Sequence, residues 1–340
     1  MKIPNPEKRL DTASGRFFLR PYRDEDEEKV IRLWETAFKT KMNRQIWRWK
    51  FHDNPFGRQM MLCLTEWGDP VVLYAGISYP ANWNGRNIRM TQLIDNMSHP
   101  GYRQAITGRK GLFVQTAAHF FKVYGGQHAS VYLYGFPGKR HYKLGEYLLD
   151  YKTIAGGGSY LEAVPEKTKR KQHFRFGKIH EIQHFNHRFD KLWERHMCDY
   201  PFAACRNRLF LDWRFTKHPV NDYRIFAYSS RFNERKSYLV LSVKDKKAII
   251  ADIFTGKSDI GSLIKLIRFV MRELAKDNIL LAGIWLPKNH FVKDAFLECG
   301  FQKKTEPLGI IPSGKSFDDN LDFGFTAQNI YYTMADGDLF

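Results

Sequence analysis

The segment Gly108-Arg109-Lys110-Gly111-Leu112-Phe113 holds the residues whose types and spacing best suit chemistry. Its two glycines let main-chain amides come close to a bulky anion, and Arg109, Lys110 and the upstream Arg103 bring neutralising charge. A helix follows, with Leu112, Phe113, Thr116, Ala117, Phe120 and Phe121 at the spacing of one face. The first turn of a helix has unpaired N–H groups and the positive end of the helix dipole, so a diphosphate would seat there. The same residues also fit an exposed basic loop without a ligand, since a G-x-x-G pattern alone is unspecific.

The elements around this loop fit a sheet that presents it. GRFFLRPY (15–22) has strand character, and Asp24 with Glu27 forms a capping-box pattern before a helix carrying Val30, Leu33, Trp34, Ala37 and Phe38 on one stripe. A second helix is predicted over Asn43–His52, ended by Asn54-Pro55. Three strand-like runs follow at 60–67, 71–79 and 88–98, separated by Gly68-Asp69-Pro70 and Asn84-Gly85, which predicts an antiparallel meander. After the loop and its helix come a strand at 129–134, a short helix in FPGKRHYKLGEYLL, and a strand pair in DYKTIA and SYLEAV around Gly156-Gly157-Gly158.

From about residue 180 the order begins again. WKFHDNP (Trp49–Pro55) and WRFTKHP (Trp213–Pro219) share the pattern W-[KR]-F-x-x-x-P, which points to a duplicated unit. Strands in YRIFAYS, KSYLVLSV and KAIIADIF lead to a helix capped by Asp259 and bearing Ile264, Ile267, Val270, Met271 and Leu274. The strand ILLAGIW, a helix from Pro287 to Cys299 and final strands including NIYYTM complete the copy. The sequence thus divides into a first domain at 1–165, a basic linker at 166–178 and a second domain at 179–340.

A chain of 340 residues that is 43% hydrophobic and 15% aromatic has enough apolar material for two cores. Lys and Arg number 54 against 36 Asp and Glu, a formal charge of +18 that favours an anionic partner. These cations are spread along the chain apart from EKTKRKQHFR at 166–175, which reads as a solvated linker, and no nucleic-acid-binding motif is present. No run approaches the roughly 20 apolar residues of a membrane span, and the N-terminus lacks the apolar stretch of a secretory signal. A soluble, cytoplasmic protein is expected, without membrane insertion. Cys63, Cys198, Cys205 and Cys299 have no metal-ligand spacing and read as reduced core residues, so no metal is expected.

His99-Pro100-Gly101-Tyr102-Arg103 followed by Gly111-Leu112-Phe113 resembles the loop H-P-x-Y-R-x-x-G-[LI]-F of the GNAT superfamily of N-acetyltransferases. The resemblance covers nearly the whole chain, because tandem members carry the W-[KR]-[FY]-x-x-x-P segment in each half and often end in a motif like GDLF (Gly337–Phe340). The stretch from Arg103 to Gly111 is longer than the family's R-x-x-G, so the phosphate cradle begins either at Gln104 or at Gly108. The implied fold is α+β (α/β): two acyl-CoA N-acyltransferase folds in tandem, each a mixed, mainly antiparallel twisted sheet flanked by helices.

The resemblance further implies that Ile94, Asn96, Met97 and Ser98, on the fourth strand, pair through their backbone with the pantetheine arm of acetyl-CoA, where the fourth and fifth strands splay. Amides around Gly108, Arg109, Lys110, Gly111 and Leu112 would hold the pyrophosphate together with Arg103, and Lys139 or Arg140 would reach the outer phosphate. Direct attack of an amine on the thioester needs a base, oxyanion donors and an acid. Asp95 is the candidate base, Tyr142 with Tyr147 behind it the candidate acid, and His141 suits either role; a carboxylate at Phe340 is a further candidate base. An amide near Asn96 or Met97 would meet the oxyanion. In the second copy the loop has Gly256 and Lys257 but no arginine, and Asp259 places negative charge where phosphate would sit, so that copy is expected not to bind CoA.

The implied reaction is transfer of an acetyl group to a primary amine of a small metabolite or amino sugar. Two alternatives are an aminoacyl-tRNA-dependent aminoacyltransferase of the peptidoglycan cross-bridge type, whose usual helical arm has no counterpart here, and a non-catalytic acyl-CoA-binding module. Acceptor loops such as 80–87 and 318–325 are polar with interleaved aromatics, and neither the acceptor nor the oligomeric state is legible from them.

Overall fold

The computed structural model describes residues 5–103, 108–154, 158–166 and 177–338. Gln104, Gly156 and Gly157, nearly all of the basic 166–175 run and Phe340 lie outside them. The chain forms two compact units: residues up to Pro80, Ile88–Lys152 and Pro312–Phe323 make the first, and Ala81–Asn87, Thr153–Ile311 and Gly324 onward make the second.

In the first unit the chain runs β1 (Lys8–Thr12), β2 (Gly15–Pro21), α1 (Glu27–Phe38), α2 (Arg44–Phe51), β3 (Arg58–Thr65), β4 (Pro70–Trp83) and β5 (Arg86–Ser98). Then come α3 (Leu112–Tyr124), β6 (Tyr132–Gly135), α4 (Lys139–Leu149) and β7 (Lys152–Thr153). β1, ahead of the first strand expected from the sequence, forms because Lys8–Thr12 pairs along β2. The capping box also sits elsewhere than expected: Asp24–Asp26 form a 3₁₀ turn, and the Asp26 carboxylate, not Glu27, accepts the Arg23 N–H at 2.9 Å and binds Arg20. Asn43 caps α2 by accepting from Gln45 and Ile46. The β4–β5 turn carries Asn84 and Gly85 at positive φ, the backbone a two-residue hairpin demands.

Antiparallel pairing joins β1 to β2, β2 to β3 and β3 to β4, whereas β5 meets β6 in parallel. α3 covers the sheet and buries Val114, Ala117 and Phe120 against Met61, Tyr74, Leu133 and Leu149. Each such large side chain contributes about 1.5–3 kcal/mol relative to exposure.

The second unit begins with β8 (Ser159–Ala163), β9 (Lys178–Ile182), α5 (His187–His196), β10 (Phe202–Ala204), α6 (Arg208–Leu211) and β11 (Arg224–Ser229). It continues with β12 (Arg235–Lys244), β13 (Lys247–Thr255), α7 (Ile260–Lys276), β14 (Leu281–Leu286), α8 (Val292–Glu298) and β15 (Gln302–Lys304). Its sheet has the order β15-β8-β14-β13-β12-β11-β9, with β13 and β14 parallel. The segment SYLEAV therefore does not close the first sheet: β8 pairs with β14 and β15. The first sheet instead takes β16 (Ser313–Ser316) against β6. α9 (Phe323–Asn329) and β17 (Ile330–Tyr331) follow, before a 3₁₀ turn at Met334–Asp336.

All four cysteines are free thiols; Cys63 is in the first core, whereas Cys198 is exposed rather than a core residue. Among the described residues no helix is long and apolar enough to cross a membrane.

Candidate active site

The parallel register of β5 with β6 runs from Met90–Tyr132 to Gln92–Tyr134, and β5 continues to Ser98. The pairing thus ends at Gln92, and β5 runs on past the end of β6. Within that stretch Asp95 has a left-handed backbone, φ +50°, a conformation Asp tolerates better than most residues. Next to this kink the Asn96 side chain accepts the Ala75 N–H at 2.7 Å, so a side-chain oxygen serves an amide of the neighbouring strand. Asn96, Met97 and Ser98 then line a cavity of about 400 Å³ in the first unit, a size within the usual range for small-molecule sites.

The start of α3 forms the opposite wall. Gly111 is its N-cap and, having no side chain, gives the first-turn amides no cap bond of its own. Gly108, with φ +64°, takes a left-handed backbone that favours glycine, and the Gly111 N–H reaches back to the Gly108 carbonyl at 3.1 Å. Gly108, Gly111, Leu112, Phe113 and Val114 all line the cavity. Arg103 lines it as well, with its guanidinium donating to the Ser98 carbonyl at 3.0 and 3.2 Å.

α4 completes the enclosure through Arg140, His141, Leu144 and Leu148, a helical stripe. Desolvation, followed by the nearby Arg140 and Arg103 cations, lowers the His141 pKa from its ordinary value of 6.5. The imidazole stands at an exposed edge of the cavity and is neutral at neutral pH.

The cavity therefore brings together Asn96, Met97, Ser98, Arg103, Gly108, Gly111, Leu112, Arg140 and His141 of the residues singled out in the sequence. Arg109, Lys110 and Lys139 are exposed and do not line it, and Ile94 is buried beside it. Asp95 is not on the cavity wall; its carboxylate binds Lys50 Nζ at 3.0 Å and accepts from Trp34 Nε1 at 3.1 Å. Tyr142 is not on the wall either, and its hydroxyl donates to the Glu146 carboxylate, while Tyr147 is exposed. Ala37, Phe38, Val72, Leu144 and Leu148 line the cavity without having been named as site residues. Ala37 and Phe38 lie on the apolar stripe of α1, and Phe38 is 43% exposed.

The matching place in the second unit is built otherwise. β13 runs past its parallel pairing with β14, which ends at Ile249–Gly283, and reaches Thr255. This opening is filled by the unit's own side chains. Tyr331 donates to the Ile253 carbonyl and Tyr200 to the Thr255 carbonyl, while the Thr255 N–H turns back to the Tyr200 hydroxyl. Asp252 is fully buried beneath Arg206, Thr333 and Tyr238. Before α7, a Cβ on Gly256 would lie 2.1 Å from His196 Nδ1, and Asp199 accepts the Lys257 N–H at 2.9 Å. Asp259 does not cap α7 through its side chain, as its sequence position suggested; the carboxylate faces His196 at 3.2 Å and Lys236 at 3.3 Å.

A parallel strand pair in which β5 outruns β6, a kinked strand edge and an uncapped helix start beside cations define the acyl-CoA N-acyltransferase class of fold. Residues 19–145 match the family model "Acetyltransferase (GNAT) domain", so this stretch is a GNAT acetyltransferase domain, and the two mixed sheets give the acyl-CoA N-acyltransferase fold in tandem. A comparison with curated proteins finds no match. Among solved structures, a probable N-acyltransferase from Enterococcus faecalis V583 is similar with a TM-score of 0.64 at 11% identity, over 88% of this chain and 72% of that one. A GCN5-related N-acetyltransferase from Anabaena variabilis gives 0.64 at 12% identity, over 89% and 73%. The Saccharomyces cerevisiae N-myristoyltransferase with bound myristoyl-CoA gives 0.56 at 8% identity, over 90% and 83%. At these identities the likeness is one of fold.

Proposed function

We propose that the first unit transfers the acetyl group of acetyl-CoA to a primary amine of a small metabolite or amino sugar by direct attack. The observation that carries this reading is the uncapped start of α3 opening onto a cavity shared with Asn96–Ser98, Arg103 and Arg140. First-turn amides and the helix dipole would bind the diphosphate, with Arg103 and Arg140 neutralising it, and the β5 edge would hold the pantetheine amides. Arg109, Lys110 and Lys139, all exposed, would add long-range attraction for the nucleotide phosphates.

In the proposed reaction the amine nitrogen bonds to the thioester carbonyl carbon and a main-chain N–H near Asn96 or Met97 meets the oxyanion. The C–S bond then breaks. His141, which lines the cavity where Asp95, Tyr142 and Tyr147 do not, takes the amine's proton and passes it to the departing thiolate. Asp95 and Tyr142, both bonded elsewhere, are assigned no direct proton transfer.

A neutral imidazole accepts a proton only above its pKa, and that pKa is lowered here from 6.5. The acid limb of kcat/KM, which reports the free enzyme, is therefore expected below pH 6.5, with a plateau above it. His141→Ala should abolish that limb and lower kcat about 10²-fold, the usual contribution of a positioned acid–base group. A wild-type limb above pH 7 would point to a different group.

We further propose that the second unit binds no acyl-CoA, because its own side chains occupy the β13–β14 opening and carboxylates stand at the start of α7. Calorimetry with acetyl-CoA should give one site per chain. Two sites, or residual binding after the first site is blocked, would overturn this assignment.

A further inference from the structure

The two copies of W-[KR]-F-x-x-x-P place a cation at the same point of each unit, Lys50 in the first and Arg214 in the second. Both are buried between large apolar neighbours: Trp49 and Phe51 around Lys50, Trp213 and Phe215 around Arg214. A cation at such a site is retained only with a partner. Arg214 donates to the carbonyls of Ala335 at 3.0 Å and Gly337 at 3.1 Å, fastening the chain's last described turn within its own unit. Lys50 instead reaches Asp95, the residue at the kink of β5. The two side chains are 9% and 8% exposed, so water scarcely screens them.

The rest of the surroundings converge on the same residue. Trp34 from α1 donates its indole N–H to the other Asp95 oxygen, and its ring packs on Phe38 with centroids 4.8 Å apart. Phe38 lines the cavity, as do Asn96, Met97 and Ser98, the residues directly beyond the kink. Two rigid helices therefore clamp one carboxylate whose backbone is left-handed, and the strand edge it redirects is the cavity wall. Resting on the acyltransferase reading above, we infer that Lys50 and Trp34 are positioning residues of the acyl-CoA site, holding through Asp95 the kink that presents Asn96–Ser98 to the cosubstrate. Neither residue touches the cavity.

The test uses the full-length protein and the variants Lys50→Met, Lys50→Arg and Trp34→Phe, with acetyl-CoA as probe. Lys50→Met should raise the acetyl-CoA Kd at least tenfold and speed amide hydrogen exchange at residues 93–98 and at Ala75. At saturating acetyl-CoA kcat should fall as well, because the oxyanion donor near Asn96 or Met97 lies on the same strand edge, while the pH profile stays unchanged. Lys50→Arg, which keeps the cation, should restore both Kd and exchange. Trp34→Phe, which loses only the indole N–H, should move both readouts in the same direction by a smaller factor, and it decides the matter if Lys50→Met does not fold. Unchanged exchange and Kd in Trp34→Phe and Lys50→Met would overturn the inference, as would a collapse of kcat at constant Kd, which would put the pair in the chemistry. Wild-type protein that fails to bind acetyl-CoA would remove the acyltransferase reading instead, while faster exchange in the variants would still show that Lys50 and Trp34 hold the kink.

Discussion

Replacing Gly111 with aspartate should weaken acetyl-CoA binding by more than about 100-fold while leaving Tm unchanged or higher. Gly111 has φ −57° and ψ 141°, a backbone open to any L-residue, so the substitution introduces no strain. It is also the N-cap of α3, and Asp is among the best N-cap residues, contributing about 1 kcal/mol to helix stability when it bonds the first-turn amides. Those are the amides the diphosphate would use. Hydrogen bonds to a charged group are worth about 1.5–3 kcal/mol each, and a 100-fold change in Kd corresponds to about 2.7 kcal/mol. Losing even two of them, with a carboxylate placed against phosphate, exceeds that figure. Gly111→Asn separates the two causes, because it caps the helix without the charge; an intermediate loss is expected. Calorimetry and thermal melts on the three proteins suffice. Undiminished affinity in Gly111→Asp would place the diphosphate elsewhere.

The largest stability effect is expected at Arg206. Its side chain is wholly buried and bridges two carboxylates, Asp252 at 3.2 Å through Nε and Asp336 at 3.1 Å through Nη1. Desolvation acts against its charge, but the two carboxylates outweigh it and hold the pKa well above the ordinary guanidinium value. Arg206→Met leaves Asp252 and Asp336 buried without their cation, which should lower stability by about 3–5 kcal/mol. The pH dependence has a definite sign. Without the arginine, mutual repulsion and desolvation raise the folded-state pKa of the carboxylates above the unfolded value. Proton uptake then favours the folded state, so the deficit should shrink as pH falls. Urea denaturation of wild type and variant at pH 8 and pH 5.5 measures both; a deficit independent of pH would mean that lost packing, not charge, sets the cost.

The first experiment probes the helix start beside the parallel strand pair of the first unit and the second a side chain buried against β13 of the second, and the contrast shows how a duplicated fold diverges. In the first unit the space beyond the parallel strand pair is a cavity with an uncapped helix start. In the second, tyrosines, Arg206 and two aspartates fill it, and Asp199, Asp259 and His196 stand at the helix start. The loop glycine remains as Gly256, but no Cβ fits there, so its retention reflects crowding by His196 and not access for a ligand.

Much of this was legible beforehand, and for local reasons. Turn residues at Gly68-Asp69-Pro70 and Asn84-Gly85 delimit the strands of the meander, and the glycine-flanked basic loop marks the start of α3, because those signals act within a few residues. The recurrence of W-[KR]-F-x-x-x-P disclosed the duplication. In contrast, local patterning places β8 with the first domain and gives no sign of β16 in its sheet, since these pairings join edges more than a hundred residues apart, which no local pattern encodes. The stripe on α1 was visible, but Phe38 on it lines a cavity instead of a core, because periodicity records which residues share a face and not what that face meets.

By itself the amino-acid sequence determined the class of fold, the duplication and the loop at Gly108–Leu112, all properties set by hydrophobic period, turn chemistry and charge within short windows. Only the tertiary structure decided which basic residues face the cavity, that Asp95 belongs to a buried pair with Lys50, and that the second opening is filled from within. Those outcomes depend on distances between side chains far apart in the chain. Such distances exist only after the sheets have closed and the buried charges have found their partners.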